Sequence, residues 1–259
     1  MRDPQPAITF SEEDDVRYLH FGSPWVQGAM RLSDPYALEI AYVRDMMAWL
    51  LFRDPPPAIL QLGLGAASLT KFCHRHCCES AVTVVERSRV VIAAAHQWFA
   101  LPRPDRRLEI VRADAGAYLR RPAVAGRFGV VQVDLYDADA AGPVLDSEVF
   151  YRDCHRALAA PGVMAVNLFG RHASFRRSLE RIAGVFGQVV TMPRREEGNL
   201  VVLALKGPPL TASRRELAAR GAAVQARYGL PGRAWARAIS LPMRYPAPMR
   251  RKGAVNVQA

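Results

Sequence analysis

Residues 58–86 form the sequence AILQLGLGAASLTKFCHRHCCESAVTVVE, and this stretch decides the fold. An apolar run at 59–62 is typical of a buried parallel strand, and it breaks at a glycine-containing turn that leads into a helical pattern. A second apolar run at 82–85 delivers the carboxylate of Glu86. Glycines let a ligand approach the backbone, and an acid in this place accepts hydrogen bonds from both ribose hydroxyls. The stretch therefore predicts a nucleoside-binding site.

Length and composition narrow the class of protein. The chain has 259 residues, which suffice for one large domain or for one domain with a small second one. Half of the residues are hydrophobic, so a packed core is expected. No apolar run approaches the roughly 18 residues of a membrane span, and the N-terminus does not have the pattern of a signal peptide. We therefore expect a soluble, cytoplasmic protein with no membrane partner.

The formal charge of +11 is compatible with nucleic acid or another acidic partner. The arginines are, however, spread along the chain, and no basic stripe with interleaved aromatic residues is visible. A solvated basic surface is the favoured interpretation, and nucleic acid is not expected as a partner.

The four cysteines are few and clustered, which argues against a disulfide framework. The run Cys73-His-Arg-His-Cys77-Cys78 resembles part of a metal site, but no second ligand pair with zinc-site spacing follows it. We expect buried thiols near the end of a helix and no metal.

Hydrophobic periodicity divides the chain into three regions. Residues 1–54 are predicted to form an N-terminal β-hairpin cap and an amphipathic helix at 36–52 that starts at Asp34-Pro35. Residues 55–210 are predicted to form a Rossmann-like nucleoside-binding transferase domain. Residues 211–259 are predicted to form one helix at 211–229, followed by an irregular basic tail from 231 onward.

Strand and helix patterns alternate through the middle region, which predicts a parallel sheet covered by helices on both faces. Two final strands joined by a polar turn predict an antiparallel hairpin at one edge of the sheet. Seven strands ending in a hairpin favour the α/β sheet of class I S-adenosylmethionine-dependent enzymes over that of a dinucleotide dehydrogenase. The expected strands are 59–62, 82–86, 108–112, 128–134, 163–168, 188–192 and 200–205, and the expected helices are 66–77, 88–99, 115–121, 146–158 and 171–185.

Polar residues follow several of these strands, where a sheet of this kind binds its ligands. Asp114 follows the strand at 108–112 and can accept a hydrogen bond from the adenine amino group or cap the next helix, and both roles stay open. Asp134 closes an apolar strand and is followed by Tyr136 and Asp137. These residues predict a cluster of carboxylates beside the glycine turn.

On these segments the chain resembles the spermidine synthase (polyamine aminopropyltransferase) family over roughly residues 25–206. The specific features are the Asp134-x-x-Asp137 loop, the Gly-Pro that follows it, and Phe150-Tyr151. The resemblance implies decarboxylated S-adenosylmethionine as the donor, a small-molecule amine or polyamine as the acceptor, and a homodimer. The segments that carry it are LQLGLGAASL, VTVVE, VRADAGAYL, VVQVDLYDADAAGP and SEVFYRDCHRALAAPGVMAVN.

The resemblance also implies roles for individual residues. Asp134 is the expected catalytic acid/base, and Asp137 with Tyr136 is expected near the amine acceptor. A free alkylammonium has a pKa near 10, so a carboxylate that orients the amine and accepts its proton suits the reaction. The residues expected at the substrate are Tyr42, Arg44 and Asp137. The residues expected at the donor are Gln27, Gly63, Leu64, Gly65, Glu86, Arg87, Asp114 and Ala115.

Two departures from the family pattern leave alternatives open. The family's loop Gly-Gly-Gly-Asp-Gly is replaced by Gly63-Leu-Gly65-Ala66-Ala67, so the acid that holds the aminopropyl chain is missing. The family's Tyr-His-Glu is replaced by Tyr42-Val-Arg44-Asp45, and an arginine there would suit the carboxylate of intact S-adenosylmethionine. A methyltransferase on the same sheet is therefore the first alternative. A non-catalytic or nucleic-acid-binding protein is the second.

Overall fold

The computed structural model describes residues 7–23, 25–136, 145–169, 172–208 and 212–239, with the side chains of 172–174 left out. The N-terminal part is a three-stranded antiparallel sheet with strands β1 (Thr9–Glu13), β2 (Val16–His20) and β3 (Val26–Arg31). The predicted hairpin corresponds to β2 and β3. The sequence analysis missed β1 because every residue of that strand is exposed and no apolar alternation marks it.

The amphipathic helix predicted at 36–52 is wrong in both its start and its continuity. The segment forms a short helix α1 (Ala41–Asp45) and a separate 3-10 helix, Ala48–Leu51. Residues 46–51 are all buried. The apolar pattern therefore reflects a segment enclosed on every side, not one apolar stripe of a regular helix.

The main sheet has seven strands in the order β6-β5-β4-β7-β8-β10-β9. Strands β4 to β8 pair in parallel, whereas β10 runs antiparallel to both β8 and β9. The sequence-based fold class, a class I S-adenosylmethionine-dependent sheet with a small N-terminal β cap, is confirmed. The strands are β4 (Ala58–Leu62), β5 (Ala81–Glu86), β6 (Leu108–Arg112), β7 (Phe128–Val133), β8 (Leu158–Phe169), β9 (Gln188–Thr191) and β10 (Asn199–Lys206).

Local capping residues start several of the helices that follow the strands. Ser88, Asp114 and Ser147 each accept a hydrogen bond from a backbone N–H in the first helical turn, and Ser213 forms a reciprocal capping box with Glu216. The helices are α2 (Ser68–His76), α3 (Arg89–Trp98), α4 (Ala115–Leu119), α5 (Glu148–Ala157), α6 (His172–Phe186), α7 (Arg214–Tyr228) and α8 (Gly232–Ala238), with a 3-10 turn at Pro122–Val124.

Helices α7 and α8 pack on the 3-10 helix Ala48–Leu51. The irregular structure predicted from residue 231 is therefore wrong as far as residue 239, and the remainder of the basic tail lies outside the described residues. Helix α8 was missed because it is short and buries only Trp235 among its large side chains. Among the described helices, none combines the length and apolar character that a membrane span requires.

Candidate active site

A cavity of about 390 Å³ lies where strands β4, β5 and β7 end. Parallel strands bring their carboxyl ends to one edge of the sheet, so residues distant in sequence meet there. Most of the predicted site residues line this cavity: Gln27, Tyr42, Gly63, Leu64, Gly65, Glu86, Arg87, Asp114, Ala115, Asp134 and Tyr136.

The glycine turn after β4 brings the predicted donor loop against the predicted base. Gly63 has a φ of +94°, and a Cβ at this position would lie 2.1 Å from the main-chain oxygen of Asp134. Its N–H donates to the carbonyl oxygen of Val85 at 2.9 Å. Only glycine fits this backbone and this separation, so the turn holds β4, β5 and the end of β7 together.

Glu86, at the end of β5, is fixed by backbone donors. One carboxylate oxygen accepts the Leu64 N–H at 3.1 Å and the other accepts the Ser88 N–H at 2.7 Å. Loss of water around the carboxyl raises the pKa of Glu86, and these N–H donors oppose the rise. The Arg87 N–H also donates to the carboxylate and lowers the pKa of Glu86. The two oxygens together accept about four hydrogen bonds, so capacity for a ribose hydroxyl remains.

Asp114 caps helix α4, as the sequence allowed. Its Oδ1 accepts the Ala117 N–H at 2.8 Å, and both Asp114 and Ala115 line the cavity. The cap occupies one carboxylate oxygen, so it is compatible with the predicted contact between this residue and adenine.

Asp134, just after β7, accepts hydrogen bonds from two side chains. The Tyr42 hydroxyl donates to Oδ2 at 3.3 Å, and the Asn167 Nδ2 donates to Oδ1 at 2.9 Å. Desolvation raises the pKa of Asp134, which the two donors partly oppose. Desolvation and the charge of Asp134 also raise the pKa of Tyr42 well above its usual value. Tyr42 therefore stays protonated and acts as a donor.

Sequence reasoning missed Asn167 on β8 and Asn199 on β10. Asn199 Nδ2 donates to Asn167 Oδ1 at 3.1 Å, so the two amides extend the hydrogen-bond network behind Asp134. A signal was present, because Asn167 is the one polar residue in the apolar run at 163–168. A polar side chain in a buried strand requires a partner.

Tyr136 contributes its ring to the cavity wall and directs its hydroxyl elsewhere. The hydroxyl donates to the main-chain oxygen of Asn167 at 2.7 Å, and the ring meets Phe169 edge-on with centroids 6.2 Å apart. Desolvation raises the pKa of Tyr136. The structure brings Tyr136 to the site, but its hydroxyl is engaged with the backbone.

The structure does not bring Arg44 to the cavity. Its guanidinium donates to the carbonyl oxygens of Leu38 and Glu39 at 2.8 and 3.0 Å. The expectation that Arg44 meets a substrate carboxylate is therefore corrected, since its side chain fixes the turn before α1. Asp137, with the Gly142-Pro143 that follows it, lies outside the described residues, so its role stays a prediction.

Asp45, which closes α1, anchors the helix that carries Tyr42. Its carboxylate is fully buried and accepts two hydrogen bonds from Arg195, both at 2.6 Å, and one from Trp235 Nε1 at 2.8 Å. A buried carboxylate requires such pairing. Helix α1 is thereby tied to the β9–β10 connection and to α8.

The cysteine cluster at the end of α2 is divided between core and surface. Cys73 and Cys77 are buried, as expected for core thiols, whereas Cys78 is exposed. Within the described ranges, no three His, Cys, Asp or Glu side chains are grouped as a metal site would require.

The sheet order, the glycine turn and the acids after β5, β6 and β7 define a class I S-adenosylmethionine-type fold. No protein-family model matches the chain. A polyamine aminopropyltransferase of Chromobacterium violaceum is 34% identical over 226 residues, which are 87% of this chain and 86% of that protein. The chain belongs to the polyamine aminopropyltransferase family, and its relatives are transferases.

Two further proteins bear on the fold and on the alternative function. The crystal structure of a probable spermidine synthase from Corynebacterium glutamicum superimposes with a TM-score of 0.71 at 21% identity, covering 97% of this chain and 95% of that one. The human eEF1A lysine and N-terminal methyltransferase is 27% identical over 210 residues, which are 74% of this chain and 30% of that protein. The first likeness concerns the fold. The second shows that the chain is also similar in sequence to a methyltransferase.

Proposed function

We propose that the protein transfers an aminopropyl group from decarboxylated S-adenosylmethionine to an amine or polyamine. The observation that carries this proposal is the position of Asp134, which lines the donor cavity and contacts the glycine loop through its backbone. A base in this place can reach a nucleophile that approaches the donor. Membership of the aminopropyltransferase family supports the same reaction.

The proposed reaction is a displacement at carbon. The acceptor nitrogen attacks the methylene next to the sulfonium, the carbon–sulfur bond breaks with its electron pair going to sulfur, and a neutral thioether nucleoside leaves. The amine proton passes to Asp134. A carboxyl whose pKa is raised by desolvation is a stronger base than an exposed one, which suits this transfer.

The charges around the cavity favour the decarboxylated donor. Among the described lining residues, Arg87 is the only cation, and it directly follows the predicted ribose acid Glu86. One of the two sequence-based reasons for intact S-adenosylmethionine was Arg44, which is bound to backbone carbonyls outside the cavity. The other reason, the acid missing from the glycine loop, is unaffected by this contact. A donor carboxylate would therefore have no cationic partner among these residues other than Arg87, which lies at the predicted ribose end, and burying it unpaired is unfavourable.

Calorimetry with the two donor forms, followed by product analysis, tests the proposal. We expect decarboxylated S-adenosylmethionine to bind at least about tenfold more tightly than the intact form, since an unpaired buried charge costs on the order of 1–3 kcal/mol. With a panel of diamines and polyamines, the product should be 5′-methylthioadenosine. Formation of S-adenosylhomocysteine from the intact donor would instead support the methyltransferase alternative.

Three further expectations stay predictions with direct tests. Sedimentation velocity tests the homodimer, and cell fractionation tests the cytoplasmic location. Elemental analysis of purified protein tests the expected absence of a metal, and zinc should amount to well under one atom per chain.

A further inference from the structure

Asn167 connects three parts of the site through one buried side chain and its own backbone. The residue is 2% exposed. Its Nδ2 donates to Asp134, its Oδ1 accepts from Asn199, and its main-chain oxygen accepts the Tyr136 hydroxyl. Apolar residues surround Asn167 along β8, so these partners account for its place in the strand.

The orientation of the Asn167 amide follows from its two partners. An ionised carboxylate only accepts hydrogen bonds, so Asn167 must present Nδ2 to Asp134 and direct Oδ1 to the other side. Asn199 Nδ2 donates to that Oδ1 at 3.1 Å. The network therefore has one direction, from Asn199 through Asn167 to Asp134.

The two oxygens of Asp134 are not equivalent. Oδ1 accepts the Asn167 hydrogen bond at 2.9 Å, whereas the Tyr42 hydroxyl lies 3.3 Å from Oδ2 and makes the weaker contact. We propose that Asn167 is a positioning residue that reserves Oδ2 of Asp134 for the incoming proton. Asn199 is a second positioning residue, which holds the Asn167 amide in the required orientation.

The proposal makes a signed prediction for the Asp134 carboxyl. Removing a donor to the ionised carboxylate raises its pKa, whereas opening the site to water lowers it toward the ordinary value. Among the described residues, the titratable groups that interact with Asp134 are Tyr42 from α1 and Tyr136 after β7, and Asp146 acts on Tyr136. A rise in the Asp134 pKa therefore indicates a lost hydrogen bond, whereas a fall indicates that the structure has loosened and admitted water.

Carbon-13 NMR of protein labelled at the aspartate carboxyl carbons measures this titration, with Asp134→Asn used to assign the signal. In Asn167→Leu, which keeps the branched shape of the side chain and removes the donor, the Asp134 pKa should rise by roughly 1–2 pH units. Tyr42→Phe should raise it less, because the contact that it removes is longer. Tyr151→Phe is the control, since it also removes a buried tyrosine hydroxyl, but one that donates to Asp146 away from the cavity lining, and it should leave the Asp134 pKa within about 0.3 units of the parent value.

Asn199→Leu tests the second half of the proposal. Without its donor the Asn167 amide can turn, so the Asp134 pKa should rise by less than in Asn167→Leu. An unchanged pKa in Asn199→Leu would remove Asn199 from the network. An unchanged or lowered pKa in Asn167→Leu would overturn the proposal. Should Asn167→Leu not fold, Asn167→Val, which also removes the donor and suits a strand, takes its place, and an unchanged or lowered Asp134 pKa there would overturn the proposal.

This inference rests on the proposed function only in treating Asp134 as the base, and the two can fail separately. The titration needs neither donor nor acceptor, so a shifted pKa without amine alkylation retains the network and rejects the proposed reaction. If the parent alkylates amines, the acid limb of kcat/KM should move upward with the NMR pKa in Asn167→Leu while donor affinity is kept. If the acid limb of the kcat/KM profile has the same pKa in Asn167→Leu as in the parent, Asn167 is not a positioning residue, and the proposed reaction is unaffected.

Discussion

The proposed donor end of the cavity comprises the glycine turn, Glu86 and Asp114, and the proposed base end comprises Asp134 with Tyr42 and Asn167. The two ends are built in different ways. At the donor end, backbone N–H groups hold the acids, and the partners are at most 22 residues away in sequence: Glu86 with Ser88 and Leu64, and Asp114 with Ala117. At the base end, side chains hold Asp134, and they come from positions 92 and 33 residues away. The donor end is therefore a product of local chain geometry, whereas the base end depends on the packing of α1 and β8.

This difference predicts different consequences of mutation. The backbone donors include Leu64 in the glycine turn, Ser88 at the cap of α3 and Ala117 in α4, and no side-chain substitution removes a backbone N–H other than one to proline. A substitution of an acid at the donor end should therefore weaken binding and leave the rest of the site intact. Side-chain donors at the base end adjust the basicity of one carboxylate, so changes there should affect rate and pH dependence.

The largest effect is expected at the base. Asp134→Asn keeps the size of the side chain but cannot accept a proton, so kcat should fall by about 100-fold or more. Donor affinity, measured by calorimetry with 5′-methylthioadenosine, should change little. Turnover of amines at the parental rate would contradict the proposed mechanism and the distinction between the two ends.

A smaller effect is expected at the ribose acid. Glu86→Gln should weaken binding of the thioether nucleoside by about 1–3 kcal/mol, because one strong acceptor is lost. Saturating donor should restore most of the parental kcat if Glu86 serves binding alone. Unchanged nucleoside affinity in this variant would remove Glu86 from the site.

The two roles of Asp114 can be separated by a pair of variants. Asp114→Asn keeps a good helix cap but loses one acceptor, so nucleoside affinity should fall by about 1 kcal/mol with thermal stability nearly unchanged. Asp114→Ala should lose the same affinity and also about 0.5–2 kcal/mol of stability, because the cap of α4 is removed. Equal affinity in Asp114→Asn and the parent would leave Asp114 as a cap only.

The pH dependence of stability gives the finest comparison. The raised pKa of Asp134 in the folded protein means that this carboxyl contributes stability below its ordinary value of 3.8, and that the contribution is lost as pH rises through the folded pKa. An asparagine at this position does not ionise, so Asp134→Asn does not lose stability as pH rises. Its Tm should therefore exceed the Tm of the parent near pH 8, and the difference in Tm should shrink toward pH 4.

Glu86→Gln provides the contrast for this last experiment. The pKa of Glu86 is raised as well, but three backbone N–H groups donate to its carboxylate, and a glutamine amide cannot accept all of them in the same way. We therefore expect a smaller gain in Tm than for Asp134→Asn. An equal gain, measured by the same thermal melts, would show that backbone donors do not distinguish the two ends.

The sequence predicted that the glycine turn, Glu86 and Asp114 lie together, because their meeting follows from the order of strands along the chain. A strand, a glycine turn and an acid after the next strand follow one another within residues 58–86, and the parallel sheet makes their meeting unavoidable. Asp134 was also predictable, because it ends an apolar strand of that sheet.

The base end was predicted less completely because its contacts depend on distant packing. Arg44 follows Tyr42 by two positions on α1, and the sequence alone could not show that only Tyr42 faces the cavity. The partnership of Asn167 with Asn199 requires the antiparallel pairing of β8 and β10 at one particular register. Side-chain direction at such positions is set by tertiary structure, and periodicity does not report it.

The close approach of Gly63 to the Asp134 backbone has a consequence for anyone redesigning donor choice. A side chain at residue 63 would have to displace the carbonyl oxygen that lies 2.1 Å from its Cβ, and the acid that follows β7 would move with it. Libraries aimed at new donors should therefore keep Gly63 invariant and vary the neighbouring Leu64 and Ala66, which line the same cavity. A substitution of Gly63 would alter donor binding and the position of Asp134 at the same time. A screen for new donors would then also select against variants in which the proposed base has moved.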